Sequence, residues 1–218
     1  MFVGHYGPSF LAKWSQPNIP LWILFLAVQL LDIFWAIFVF LGVEKVRIVP
    51  GFTETNALDL YYMPYTHSLP GALGWSIGAA VLYGGIAQSK RGGVLVGAAV
   101  FSHWPLDFLV HRPDLALYDN AAKVGLGLWD YPYLTLGIEG ALFLGAMGLY
   151  MAGSRPLTRR ARFSIPVFCC AFLIMQAGML YGPPPPTDRA MAMTGLAAYA
   201  LLAATIAWLE KGRRSLKS

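Results

Sequence analysis

Charge is scarce in this chain. Asp, Glu, Lys and Arg make up 12% of the 218 residues, against 57% hydrophobic. A soluble domain carries roughly 25% charged residues, so this composition cannot supply an aqueous surface. Cysteine is nearly absent: Cys169 and Cys170 stand side by side in an apolar run, which excludes a disulfide framework and lacks metal-motif spacing. Core packing accounts for both. No Gly-x-Ser-x-Gly elbow and no Walker A loop occurs, so serine-hydrolase and P-loop chemistry have no support. No internal repeat is visible, which disfavours an inverted-repeat transporter, and no ten-residue alternation suggests a β-barrel. The net charge of +5 suggests nucleic acid only until the basic residues are located, because they lie in short loops and the tail. No nucleic-acid partner is expected.

Long apolar runs are what the chain does have. Six can be marked, at about 19–43, 69–87, 94–110, 133–152, 164–181 and 190–209. Most approach the roughly 20 residues that a spanning helix needs. The expectation is an all-α polytopic transmembrane bundle of about six spans, one integral-membrane domain over residues 1–218, with the bilayer as its solvent. The first run is too long for a signal-peptide core and has no small-residue cleavage site, so it should stay as an anchor. One alternate set of inter-span segments holds Lys13, Lys90, Arg91, Arg155, Arg159, Arg160, Arg162, Lys211, Arg213, Arg214 and Lys217. The other holds Lys45, Arg47, Arg112, Lys123 and Arg189. The positive-inside rule then places both termini in the cytoplasm.

Two long outer loops, about 44–68 and 111–132, are rich in aromatics: Tyr61, Tyr62, Tyr65, Tyr118, Trp129 and Tyr131. They form either an interfacial belt or a lid over an outward-opening site. Residues 183–186 are all proline and should make a stiff connector. Gly140, Gly145 and Gly148 allow close helix packing within the chain or between copies, leaving a homo-oligomer open.

Ionisable groups in hydrocarbon cost at least roughly 2.5–3.5 kcal/mol near the helix centre, so each needs a reason. The spans contain Asp32, His103, Asp107 and Glu139. At about 1.5 Å per residue, Asp32, Asp107 and Glu139 each lie about 20 Å from the cytoplasmic ends of their spans, and His103 about 14 Å. His103, Asp107 and His111 are spaced i, i+4, i+8 and share a helix face. Pro105 beside them frees the carbonyl of Phe101. His67, between Pro64 and Pro70, stands where broken helix can dip into a cavity, and His5 reaches about 12 Å depth if the N-terminal segment re-enters. Each residue also has a plainer explanation. Asp32 can bond Gln29, Glu139 a Tyr or Trp donor, and His103 its own Asp107; His67 and His111 can be solvated, and His5 can lie flat on the surface. Together, the matched depths and the His–carboxylate pairing point to a metal site.

At these residues the chain resembles the membrane-bound metal-dependent hydrolases of bacteria and archaea, an inner-membrane family. The resemblance rests on Gly4-His5, Asp32, Thr66-His67-Ser68, and Ser102-His103 through Leu106-Asp107, in that order. It covers residues 1–112, the motif-bearing half, while 113–218 supplies the remaining spans without a motif. The family pattern carries Pro-Asp and Arg-Gly where this chain has Leu31-Asp32 and Pro64-Tyr65. The resemblance implies a bacterial inner-membrane hydrolase with a divalent metal, zinc first and iron or manganese as alternatives. In that scheme His67, His103 and Asp107 hold the ion, with Asp32 or His5 completing the shell, and bound water reaches a pKa of about 7. Glu139 or His111 is the candidate general base. Arg112 is the candidate receptor for a substrate phosphate, the substrate being a lipid-like ester or phosphoester or another small molecule. The competing expectation is a carrier or a proton- or ion-conducting bundle that uses the same polar ladder.

Overall fold

A computed structural model describes residues 2–216; Lys217 of the basic set lies outside them. The chain is mainly helical. After a 3₁₀ turn at Gly4–Tyr6 come α1 (Gly7–Ser15), α2 (Leu21–Val28) and α3 (Leu30–Phe40). A hairpin of β1 (Lys45–Ile48) and β2 (Leu58–Tyr62) leads to α4 (Leu69–Ile86), α5 (Lys90–Phe101) and α6 (His103–Val110). A second hairpin, β3 (Leu115–Tyr118) with β4 (Ala121–Val124), precedes α7 (Pro132–Ala152). Short β5 (Ser154–Pro156), α8 (Ala161–Met179), α9 (Asp188–Glu210) and β6 (Arg213–Ser215) complete the order, β5 pairing antiparallel with β6.

Five helices are long and apolar enough to cross a membrane: α4, α5 with α6 as Lys90–Val110, α7, α8 and α9. Helices α2 and α3 meet the same test only as a pair, bent by 54°. The outward faces carry Ile77, Val81, Leu82, Ile86, Ile174, Leu201 and Trp208, all exposed. The interior is apolar as well, with Phe10, Phe25, Leu24 and Phe143 fully buried, so these helices are hydrophobic on both faces, as expected when lipid is the solvent. Helices α4 and α5 approach until a Cβ on Gly93 would stand 2.5 Å from the Ala80 carbonyl, and one on Gly97 2.8 Å from that of Ser76. Close packing is therefore made there. Gly145 and Gly148, expected to serve this purpose, have nothing within 4 Å of an added Cβ.

Local chemistry explains the breaks. Ser68 caps α4 by accepting from Gly71 N at 3.1 Å, and Ser89 caps α5 by accepting from Gly92 N at 3.0 Å. Pro105 cannot donate to the Phe101 carbonyl, and the helix is interrupted at Ser102 between α5 and α6. Aromatic packing fixes the N-terminal segment: Tyr6 and Phe10 are buried against Phe25, Phe143, Tyr150 and Phe172. The segment thus enters the bundle instead of lying on its surface, and it carries His5 inside.

The two long loops, about 44–68 and 111–132, are built on two hairpins tied to each other. Asn120 Nδ2 and Lys123 Nζ of one donate to the Tyr61 carbonyl of the other at 3.2 and 2.9 Å. Thr55 of the first bonds the Trp129 carbonyl through both its N and its Oγ1.

Candidate metal centre

Helix α6 supplies the middle of the site. Asp107 and His103 are one turn apart, and both are buried. Three other segments and the C-terminal end of α6 bring in the rest. The N-terminal turn carries His5, α3 carries Asp32, the segment before α4 carries His67, and the end of α6 carries His111. All four histidines of the chain turn Nε2 toward Asp107. His103 and His67 lie 3.1 and 3.6 Å from its Oδ2, and His5 and His111 lie 3.2 and 3.5 Å from its Oδ1. Asp32 Oδ1 stands 3.3 Å from His67 Nε2 and 3.5 Å from His103 Nε2.

The far nitrogens decide what these contacts mean. His103 Nδ1 donates to the Val28 carbonyl at 2.7 Å, a group made available by the bend at Gln29 between α2 and α3. His67 Nδ1 lies 2.7 Å from Thr66 Oγ1, which itself donates to Glu44 Oε2 at 2.7 Å. With its proton committed to Glu44, the hydroxyl accepts from the ring. His111 Nδ1 donates to Asp114 Oδ1 at 2.8 Å. Each of these rings, when neutral, therefore presents a bare Nε2 lone pair to a carboxylate oxygen. Two acceptors at this separation repel unless a second ring proton or a metal ion lies between them. Burial alone would lower the pKa of His111; the carboxylates of Asp107 and Asp114 outweigh it and hold that pKa above the ordinary value.

The donor set is of a kind that can hold a metal ion. Metal bonds of about 2.0–2.1 Å to imidazole and carboxylate give tetrahedral ligand–ligand edges of about 3.4 Å. The four edges from His67 and His103 to Asp32 and Asp107 measure 3.1–3.6 Å. The ligand atoms of Asp32, His67 and His103 lie within 4.8 Å of one another, as do those of His5, His103 and Asp107. Buried His and Asp side chains here can hold a metal ion. The outer partners Thr66, Asp114 and Val28 fix ring orientation, as second ligand layers do in metal sites.

Two of the expected site residues have other partners. Glu139 Oε2 accepts from Phe2 N and Gly4 N, each at 3.0 Å, and so clamps the segment that carries His5. Its donors are backbone amides rather than the expected Tyr or Trp. Arg112 donates to the Phe52 carbonyl at 2.7 Å and stands 3.8 Å from Asp130 Oδ2, on the hairpin side and away from the six converging residues. Asp32 does not bond Gln29; its Oδ2 accepts from Tyr199 OH at 3.1 Å. Sequence inspection missed Glu44 and Asp114. His111-x-x-Asp114 was readable as a carboxylate–histidine spacing, whereas nothing local marks Glu44, which reaches Thr66 across 22 positions.

A cleft of about 830 Å³ opens onto the cluster. Its floor includes Asp32, His67, Asp107, His111 and Glu139. Met175, Met179 and Leu180 at the end of α8, residues 183–186, and Met191 and Tyr199 of α9 form an apolar wall. The turn of the β1–β2 hairpin, including Thr53 and Asn56, also lines it.

No known protein family, no curated protein and no solved structure matches this chain. The class that fold and site define is therefore a helical, membrane-type protein with a buried His/Asp group able to hold a metal ion.

Proposed function

We propose that this chain is a metal-dependent hydrolase of the inner membrane, of the kind it resembles in Gly4-His5, Thr66-His67-Ser68 and the His103–Asp107 helix. The observation that carries the proposal is the apolar-walled cleft ending on Asp32, His67, Asp107 and His111. A membrane-facing cleft with one polar end suits an amphiphile, so the substrate class is a lipid-like ester or phosphoester. His67, His103, Asp32 and Asp107 are the residues that would hold the ion, with zinc the first candidate and iron or manganese the alternatives. Bound there, such an ion polarises the substrate and acidifies a water to a pKa of about 7. The chain's residues do the remainder. Thr66 and Val28 lock the rings of His67 and His103, and Tyr199 holds Asp32. Glu139 lines the cleft and is the first candidate to take a proton, through whatever carboxylate capacity its two amide donors leave.

The same proposal has six spans, with α2 and α3 as one broken span and both termini cytoplasmic. It is supported by a basic end where β5 and β6 align Arg155 with Arg214 and Lys13 pairs with Glu210.

The test uses purified protein without a histidine tag, reconstituted in phosphatidylethanolamine–phosphatidylglycerol vesicles with zinc. Release of fatty acid or phosphorylated headgroup is followed beside His67→Ala and His103→Ala. Release that both variants abolish is the expected result. Stoichiometric metal without release from these lipids or from short-chain ester and phosphoester probes would overturn hydrolysis.

A further inference from the structure

Where α7 and α9 stop and α8 begins, the chain makes a ribbon that no spanning helix requires. Strand β5 follows α7, β6 follows α9, and the two pair antiparallel. Buried Arg213 staples the ribbon to the helices. Its guanidinium donates to Ser154 Oγ and to the carbonyls of Ser154, Ala161 and Met151 at 2.9–3.4 Å. Leu157 N donates to the Gly212 carbonyl and Leu216 N to the Gly153 carbonyl, both at 2.9 Å, and extend the pairing at each end. Membrane orientation needs only basic residues in the right loops, and a folded ribbon adds nothing to it.

The register sets Arg155 directly opposite Arg214, and both side chains are exposed. Like charges facing each other across two strands repel. Among the described residues the ion pairs of Lys and Arg are those of Lys13, Arg47 and Arg112, so neither arginine has a carboxylate partner. Residues 151–187 and 211–218 contain no Asp or Glu, while exposed Arg159, Arg160, Arg162 and Lys211 add positive charge nearby in the chain. Glu210 is already committed to Lys13 and to Leu21 N. An anion between the strands would turn this repulsion into attraction. Beside Arg214 lies a cavity of about 260 Å³, lined also by Lys13, Trp14, Ser154, Glu210 and Arg213. Three cations against one carboxylate leave it positive.

We propose that this ribbon binds the phosphodiester headgroup of an anionic phospholipid, gripped by Arg155 from β5 and Arg214 from β6. Guanidinium forks match phosphate oxygens bidentately. The ribbon joins the ends of three membrane-length helices, which puts it at headgroup level. Leu157 and Leu216, 50% and 61% exposed at its two ends, give the first methylenes of the acyl chains an apolar contact. A soluble phosphate would make no use of them, and this selects lipid. The cavity is smaller than the roughly 300–1,000 Å³ of a drug-sized pocket, so it suits the polar end of a headgroup and leaves the chains outside. The inference needs the helices to sit in a bilayer and is independent of the metal centre.

The experiment is native mass spectrometry of the whole chain in detergent, incubated with equal amounts of phosphatidylglycerol and phosphatidylcholine. Wild type should retain phosphatidylglycerol with a preference above about tenfold, and Arg155→Gln and Arg214→Gln should each lower that preference about fivefold. Arg91→Gln removes the same charge from the start of α5 and should change nothing. Metal content should match wild type in all three, which separates this result from the fate of the metal centre. Equal retention of the two lipids overturns the proposal. So does an equal fall in Arg91→Gln, which would mean diffuse surface charge. Displacement of the lipid by millimolar inorganic phosphate would make the ligand a soluble anion and overturn lipid recognition.

Discussion

Two buried polar regions of this molecule differ in one respect. At the basic end, donors meet acceptors. Lys13 Nζ donates to the Pro17 and Ile19 carbonyls at 2.6 and 2.9 Å and pairs with Glu210. Glu210 also accepts from Leu21 N at 2.8 Å. Arg213 donates to Ser154 Oγ and to the Ser154 carbonyl at 3.0 and 2.9 Å. In the centre around Asp107, each of three histidines, when neutral, turns an acceptor toward a carboxylate oxygen, because its Nδ1 is committed elsewhere. The first region is complete as protein. The second needs a proton or a metal ion between ring and carboxylate, which makes it a candidate binding cluster.

Asp107→Asn breaks the comparison most severely. It removes the charge that all four rings face, and metal content measured by elemental analysis should fall more than a hundredfold while the helical circular dichroism persists. Thr66→Val comes next. It cuts the link from Glu44 to His67 without touching a ligand, and affinity for the ion should drop about 10- to 100-fold in a chelator competition. An unchanged affinity would show that ring orientation needs no such support. Lys13→Met sharpens the other side. It strips donors from two carbonyls and a carboxylate, costing about 2–3 kcal/mol, read as a lower thermal midpoint in detergent with metal content unchanged. Metal loss in that variant would mean the two regions are coupled. Arg112→Gln should do least, shifting stability by under about 1 kcal/mol and sparing the metal, since its ion pair with Asp130 is half-exposed.

Several features were legible only in part. The hairpin turn at Asp119-Asn120 was a readable signal, and Asp119 does adopt a positive φ of 49°. The strands it joins are only four residues each, too short for a period-two pattern to stand out beside the aromatics of the same loop. Gly125 has a clearer meaning once the hairpin is seen: a Cβ there would stand 2.4 Å from the His111 carbonyl, where the returning strand closes over α6. The break at Gln29 was hidden because an apolar run of that length looks continuous.

The sequence by itself determined the helical class, the membrane-length apolar runs and which polar groups fall within them. Those follow from composition and hydropathy, which are local properties. It also contained the triad of His103, Asp107 and His111, since one helix fixes their mutual positions. Only the tertiary structure decided that His5, Asp32 and His67 rotate onto that face, that Glu44, Val28 and Asp114 hold the rings, and that Glu139 clamps the N-terminal turn. Helix rotation depends on packing between segments tens of residues apart. Membership of an apolar run is a property of a short stretch of chain, but convergence is a property of the whole bundle.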